Sequence, residues 1–162
     1  MNQKHENYMR RALELADFAF KQGEVPIGAV VVCNDSIVGE GYNQTISTLD
    51  PSAHAEMVAI RQAAKRQANY RLVDCDLYVT IEPCSMCAGL LVHSRIRTLI
   101  FGASEPKAGA ICSASNIEQQ SHFNHRFNID SGVLADECAQ IMSRFFQERR
   151  ERKKALKQYL SK

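Results

Sequence analysis

Nowhere in this sequence does an uncharged apolar run approach the roughly 20 residues that a membrane-spanning helix needs. No apolar stretch follows the charges of the segment Met1 to Asn7 either. Both a membrane anchor and a secretory leader lack a candidate, so a cytoplasmic protein with no membrane partner is expected. Internal repeats, linkers and low-complexity tracts are missing as well. With 45% hydrophobic and 23% charged side chains in 162 residues, one core suffices, and a single domain spanning 1–162 is expected.

A large net charge is also absent, but the +2 total conceals an asymmetry. Residues 1–146 carry 13 Lys and Arg against 16 Asp and Glu, whereas residues 147–162 carry 7 against 2. Arg149, Arg150, Arg152, Lys153, Lys154 and Lys157 lie in an Ala/Leu/Gln/Glu-rich stretch that reads as the basic end of a helix. Such a stripe either neutralises backbone phosphates or is a solvated helix end whose cations complement the helix dipole.

Six cysteines are present, and a chain of this length needs no disulfide staples. Cys84 and Cys87 have metal-ligand spacing. Cys33, Cys75, Cys112 and Cys138 lie in or beside segments of strand or helix patterning, where a buried, inert thiol is expected.

The most informative residues are His54-Ala55-Glu56 and Pro83-Cys84-Ser85-Met86-Cys87. One imidazole and two thiolates fill three of the four places around a tetrahedral zinc ion and leave the last for water, the arrangement of a catalytic metal. Glu56 stands two residues beyond the histidine, within reach of that water without having to coordinate, as a general acid and base must. H-x-E with P-C-x-x-C is the signature of zinc nucleobase deaminases. A lone C-x-x-C also occurs in redox sites and structural zinc knuckles. A redox site would have no use for His54 or Glu56, and a structural zinc would need a fourth ligand such as Cys75, Cys112, His93, His122 or His125. Ligand softness favours zinc, one Zn2+ per subunit, although iron tolerates similar donors.

Periodicity places these residues on elements. Met9, Ala12, Leu13, Ala16 and Phe20 mark an amphipathic helix over Asn7 to Lys21, ended by Gly23. Ile27 to Cys33 and Ile37 to Tyr42 form an antiparallel hairpin about Asn34-Asp35. Asn43 to Pro51 is a loop, and Asp50-Pro51-Ser52 signals a helix to about Ala68, with His54 and Glu56 in its first turn and Met57, Ile60 and Ala64 facing inward. Asp76 to Glu82 is a strand, Pro83 suits the first position of a helix, and Cys84 and Cys87 share one face of it. Arg97 to Gly102 and a short segment near Arg126 to Ile129 are further strands, and a helix from about Leu134 to Leu160 closes the chain. The alternation implies an α/β fold, a three-layer α/β/α sandwich around a central mixed five-stranded sheet.

Beyond the metal motif, the blocks Glu24 to Val30, Gly39 to Asn43, Asp50 to Glu56, Asn69 to Leu72, Leu77 to Cys84, Cys87 to Gly89, His93 to Ile96, Phe101 to Ala103, Asn124 to Arg126 and Leu134 to Cys138 resemble the bacterial tRNA-specific adenosine deaminases. The resemblance implies a cytidine-deaminase-like homodimer that converts adenosine to inosine at the wobble position of a tRNA anticodon stem-loop. It further implies that Asn43 contacts the target nucleotide, Val25 and Pro26 wall its pocket, backbone near Ala55 and Glu82-Pro83 reads the base edge, and Asn124 with the basic helix holds flanking nucleotides. From the residues alone, Val25 and Pro26 also read as packing before a strand, and Asn43 as a turn residue. Two departures stand out: Glu105 replaces the family's usual aspartate at a nucleic-acid contact, and Cys112 stands where a small non-thiol residue is expected. Two other readings keep the fold: a deaminase of a free base or nucleoside such as guanine or cytosine, and a noncatalytic RNA-binding subunit.

Overall fold

Helix α1, Gln3–Lys21, lies against the sheet through side chains that are nearly all small: Met9, Ala12, Ala16 and Ala19 are its buried residues. Opposite them is Gly28, where a Cβ would collide with the Ala12 carbonyl, so helix and strand approach until backbone meets backbone. The structure is a computed structural model that describes residues 3–161. Met1, Asn2 and Lys162, the ends of the expected domain, lie outside the described residues.

Strands β1 (Gly28–Cys33) and β2 (Ser36–Tyr42) are joined by Asn34 and Asp35. Both have positive φ, 48° and 61°, which makes the two-residue turn whose twist matches the flanking strands. Helix α2 (Ala55–Gln67) and strand β3 (Cys75–Ile81) follow, then helix α3 (Ser85–Ser94), strand β4 (Thr98–Ala103), strand β5 (Asn128–Ser131) and helix α4 (Ala135–Leu160). Sheet order is β2-β1-β3-β4-β5. β1 is antiparallel to β2 and β3, and β4 is parallel to β3 and β5.

One face packs Ala59, Ile60, Ala63, Leu91 and Val92 of α2 and α3 on Ala29, Val31, Leu77 and Phe101. The other packs Met9, Ala12 and Cys138 of α1 and α4 on Val30, Tyr78 and Ile100. The expected three layers and mixed five-stranded sheet are therefore present. Gly39 and Gly41 of β2 repeat the device seen at Gly28: a Cβ on either would meet the backbone of α2 at Ala59 or Ala55.

Four local expectations are corrected. Asp50 does not open α2; its carboxylate accepts from the amide and hydroxyl of Ser52, at 2.8 and 2.7 Å, closing a turn that delays the helix until Ala55. The inward face of α2 is Ala55, Glu56, Ala59, Ile60 and Ala63, turned away from the expected Met57 and Ala64, because the glycines of β2 admit the smaller residues. Pro83 precedes the cap of α3 rather than taking its first position; the cap is Cys84, with extended backbone (φ −73°, ψ 174°). Among the four remaining cysteines, Cys75 and Cys138 are buried, Cys33 is half-buried, and Cys112 is exposed, contrary to expectation.

Candidate active site

Two helices begin at the same place. His54, expected in the first turn of α2, is instead the residue before it, and Cys84 is the residue before the first turn of α3, so both positive helix ends converge on the donor cluster, where they favour a thiolate at Cys84. His54 Nδ1 lies 3.6 Å from Cys84 Sγ and 3.7 Å from Cys87 Sγ. Tetrahedral zinc, with bonds of about 2.0–2.1 Å to nitrogen and 2.3 Å to sulfur, sets such N···S edges at about 3.6 Å. The donors therefore fit zinc. Among the described residues no fourth His, Cys, Asp or Glu joins the group, which is the donor set of a catalytic rather than a structural ion.

Hydrogen bonding from Cys87 and then from His54 holds the Cys84 thiol down at about 4 against the opposing effect of burial. Cys87 is pushed the other way, by the same bond to Cys84 and by its own burial. His54 is raised, chiefly by its hydrogen bond to Cys84.

Glu56, in the first turn of α2, is 3% exposed, and its Oε2 is a buried oxygen with no hydrogen-bond partner. Burial pushes its carboxyl up to about 7, where a group can both take and return a proton near neutral pH. A cation on the neighbouring donors pulls in the opposite direction. An orphaned carboxylate oxygen beside three metal donors wants a donor of its own.

Asn43 ends the β2 arm of the site. It is 5% exposed, and its Oδ1 accepts the Ala55 N–H at 2.9 Å, securing the first amide of α2. That N–H is thus engaged within the fold. Asn43→Ala should orphan it and lower stability by about 1–2 kcal/mol. A thermal midpoint unchanged within a degree would show that the bond contributes nothing.

Val25, half-buried, and Pro26, buried, stand beside Asn43, whose N–H donates to the Ile27 carbonyl at 3.2 Å. The Glu82 N–H donates to Ala103 O and the Pro83 carbonyl accepts from Ala110 N–H, each at 2.9 Å.

Two carboxylates do work that sequence reasoning missed. Glu82 is 2% exposed and gathers a loop from more than twenty residues away. Its Oε1 accepts from the amides of Ile111, Cys112 and Ser113 at 3.1, 2.7 and 2.9 Å, and its Oε2 from the Glu105 amide at 3.0 Å and from the Ser113 hydroxyl. Burial pushes this carboxyl up, but the Cys112 amide, the Ser113 hydroxyl and the other donors outweigh it and hold it below the usual carboxylate range. Glu24, 1% exposed, likewise accepts from the amides of Ile46 and Ser47 at 3.2 and 2.7 Å, shaping the loop after Asn43. The available signal at Glu82 was a glutamate closing an apolar strand run, which has to find donors; Glu24, after Gln22 and Gly23, carried no such signal.

Glu105 receives the Lys107 amide on its own side chain at 3.0 Å. Asn124 is not brought to the metal donors. It is exposed, and its carbonyl accepts from Arg95 at 3.4 Å, at the far end of α3, about 15 Å from the end that carries Cys84.

A family model for the cytidine and deoxycytidylate deaminase zinc-binding region matches residues 2–103. The chain is 53% identical over 156 residues to the tRNA-specific adenosine deaminase of Haemophilus influenzae, covering 96% of this chain and 90% of that one. The chain belongs to the tRNA-specific adenosine deaminase family. A second member of that family, from Bacillus subtilis, is 44% identical over 156 residues, 96% of this chain and 97% of its own. A solved structure from work on A-to-I editing by tRNA:A34 deaminases at the wobble position of transfer RNA superposes with a TM-score of 0.82 at 40% identity, covering 83% of this chain and 98% of that one. His54, Cys84 and Cys87 form the metal-donor group that a zinc-binding deaminase region calls for.

Proposed function

We propose that this chain is a single-domain, cytoplasmic hydrolase that converts adenosine to inosine at the wobble position of tRNA, acting as a homodimer on an anticodon stem-loop. The observation that carries the reading is the 53% identity over 96% of the chain to a tRNA-specific adenosine deaminase, joined to a donor set that fits zinc. Among the described residues no helix is long and apolar enough to cross a membrane.

Zinc at His54, Cys84 and Cys87 would supply a Lewis acid that makes a water molecule nucleophilic near neutral pH. Glu56 takes the proton of the attacking water, passes it to the ring nitrogen beside the carbon under attack, and later protonates the departing amine, which leaves as ammonia. Val25, Pro26 and Asn43 would wall and contact the nucleotide, and backbone near Ala55 and Glu82-Pro83 would face the base edge. An unpaired anticodon loop makes extrusion of the target base inexpensive.

Two clefts suit the flanking nucleotides. One, of about 730 Å³, runs from Ile81 and Ala103 past Glu105 and Lys107 to Met142, Phe146 and Arg150. The other, of about 490 Å³, is lined by Phe145, Phe146, Arg149, Arg150, Arg152 and Lys153. Aromatic faces among cations are what a single strand stacks on and threads past. Asn124, far from the metal donors of its own protomer, would hold flanking nucleotides from a separate surface.

Zinc-loaded protein should produce inosine, read by nucleoside mass spectrometry, from an anticodon stem-loop with adenosine at the wobble position, and none from free adenosine. Turnover of free guanine or cytosine with no inosine in the stem-loop would overturn the proposal in favour of a free-base deaminase. Binding of the stem-loop without turnover of any substrate would leave a noncatalytic subunit.

A further inference from the structure

Cys33 and Cys75 face one another across β1 and β3. They are register partners in that antiparallel pair, and both side chains belong to the face covered by α2 and α3, Cys75 within the core cluster and Cys33 packed against it. Their backbones point away from each other. The Cys75 carbonyl accepts from the Arg97 amide at 2.9 Å, on the β4 side. Cys33 closes the two-residue turn with Ser36, and in a turn of that kind the flanking residues hydrogen-bond each other, toward β2. Cys33 and Cys75 therefore occupy a non-hydrogen-bonded position of the ladder. There the Cα atoms of antiparallel partners stand about 4.5 Å apart and the side chains come closest, inside the roughly 4.4–6.8 Å that a disulfide spans.

We propose that Cys33 and Cys75 are a reversible redox modification site that closes into a cross-strand disulfide. Exposure orders the steps. Cys33 is half-buried and within reach of a small reagent, whereas Cys75 is 2% exposed. Burial, followed by the hydrogen bond to Cys33, pushes the Cys75 thiol up to about 12, so Cys75 stays protonated while Cys33 meets the reagent first, and its place as the register partner of Cys33 is what brings it into the second, intramolecular step.

The oxidant is a low-molecular-weight disulfide. The Cys33 thiolate attacks one of its sulfurs, forming a mixed disulfide and expelling one thiolate. Cys75, losing its proton, then attacks the Cys33 sulfur, forming the Cys33–Cys75 bond and expelling the second thiolate. The protein gives up two protons and two electrons, and the reagent becomes two thiols. The bond lies at the opening of β3, about 20 Å from the metal donors that follow that strand. It would tie β1 to β3 without involving Cys84 or Cys87, and would raise the thermal midpoint by several degrees.

The test is incubation of zinc-loaded protein with glutathione disulfide, alkylation of the remaining thiols, and mass spectrometry of the unreduced digest. A linked peptide containing Cys33 and Cys75 is expected, reversed by dithiothreitol, with zinc content unchanged. Cys75→Ala should stop at one glutathione on Cys33, and Cys33→Ser should leave Cys75 reduced. Exposed Cys112 reports that the reagent is active. If Cys112 is modified while Cys33 and Cys75 stay reduced, or if wild-type Cys33 retains glutathione with no linked peptide, the proposal fails.

Discussion

Glu56→Gln should bind zinc at the parent stoichiometry and lose at least about 10²–10⁴-fold in turnover of the stem-loop. The residue is not a member of the donor set, so metal content should not follow activity. The amide keeps the shape of the side chain but cannot take up a proton from water. The variant should also melt no lower than the parent chain, because it removes a buried carboxylate oxygen that has no partner. Zinc quantification, melting and single-turnover rates separate the possibilities. Full activity would remove Glu56 from the chemistry, and loss of zinc with loss of activity would recast it as a structural support for the donors.

Glu82→Gln should loosen the loop from Glu105 to Ser113 while leaving the sheet intact. The Glu82 carboxylate accepts five donors, four of them backbone amides. A glutamine turns an NH2 toward one set of them, leaving at least one buried donor facing another donor. With charged hydrogen bonds contributing about 1.5–3 kcal/mol each and the orphaned partners adding to the loss, local destabilisation of about 3 kcal/mol is expected. Hydrogen exchange at residues 105, 111, 112 and 113 should accelerate by about two orders of magnitude, since 1.4 kcal/mol is a factor of ten.

The same carboxylate sets an acid dependence. Its pKa is depressed in the folded chain, so its stabilisation is complete above the pKa of the unfolded chain and is lost as pH falls through the folded value, below the usual carboxylate range. Protection of those four amides should therefore fade with acid in the parent chain and be flat across the same range in Glu82→Gln. Equal protection in both proteins at neutral pH would show that the loop is held by something else.

The metal donors were legible in the sequence because their identities, spacing and neighbours leave few other uses for them. Element order and the mixed sheet were legible for a similar reason, since apolar periodicity switches cleanly between helix and strand. What escaped depends on partners distant in the chain. Asp50 carries the signal of a helix start, yet its carboxylate is spent on Ser52. The inward face of α2 follows from which residues fit over Gly39 and Gly41, a fact of β2 rather than of the helix. Glu82 and Glu24 are read as loop clamps only once the loops are folded over them. Asn43, open to two uses in the sequence, is shown holding the first amide of α2. The pairing of Cys33 with Cys75 needs the strand register, which no periodicity supplies.

Gly28, Gly39 and Gly41 lie in two adjacent strands, and a methyl group on any of them would displace a helix from one side of the sheet or the other. Saturation mutagenesis of this hairpin would therefore score all three as intolerant as His54 or Cys84, though none carries an atom that could react. The two kinds of intolerance would part under a milder readout. Ligand substitutions would spare abundance and abolish zinc uptake, whereas glycine substitutions would deplete the protein before its chemistry could be assayed.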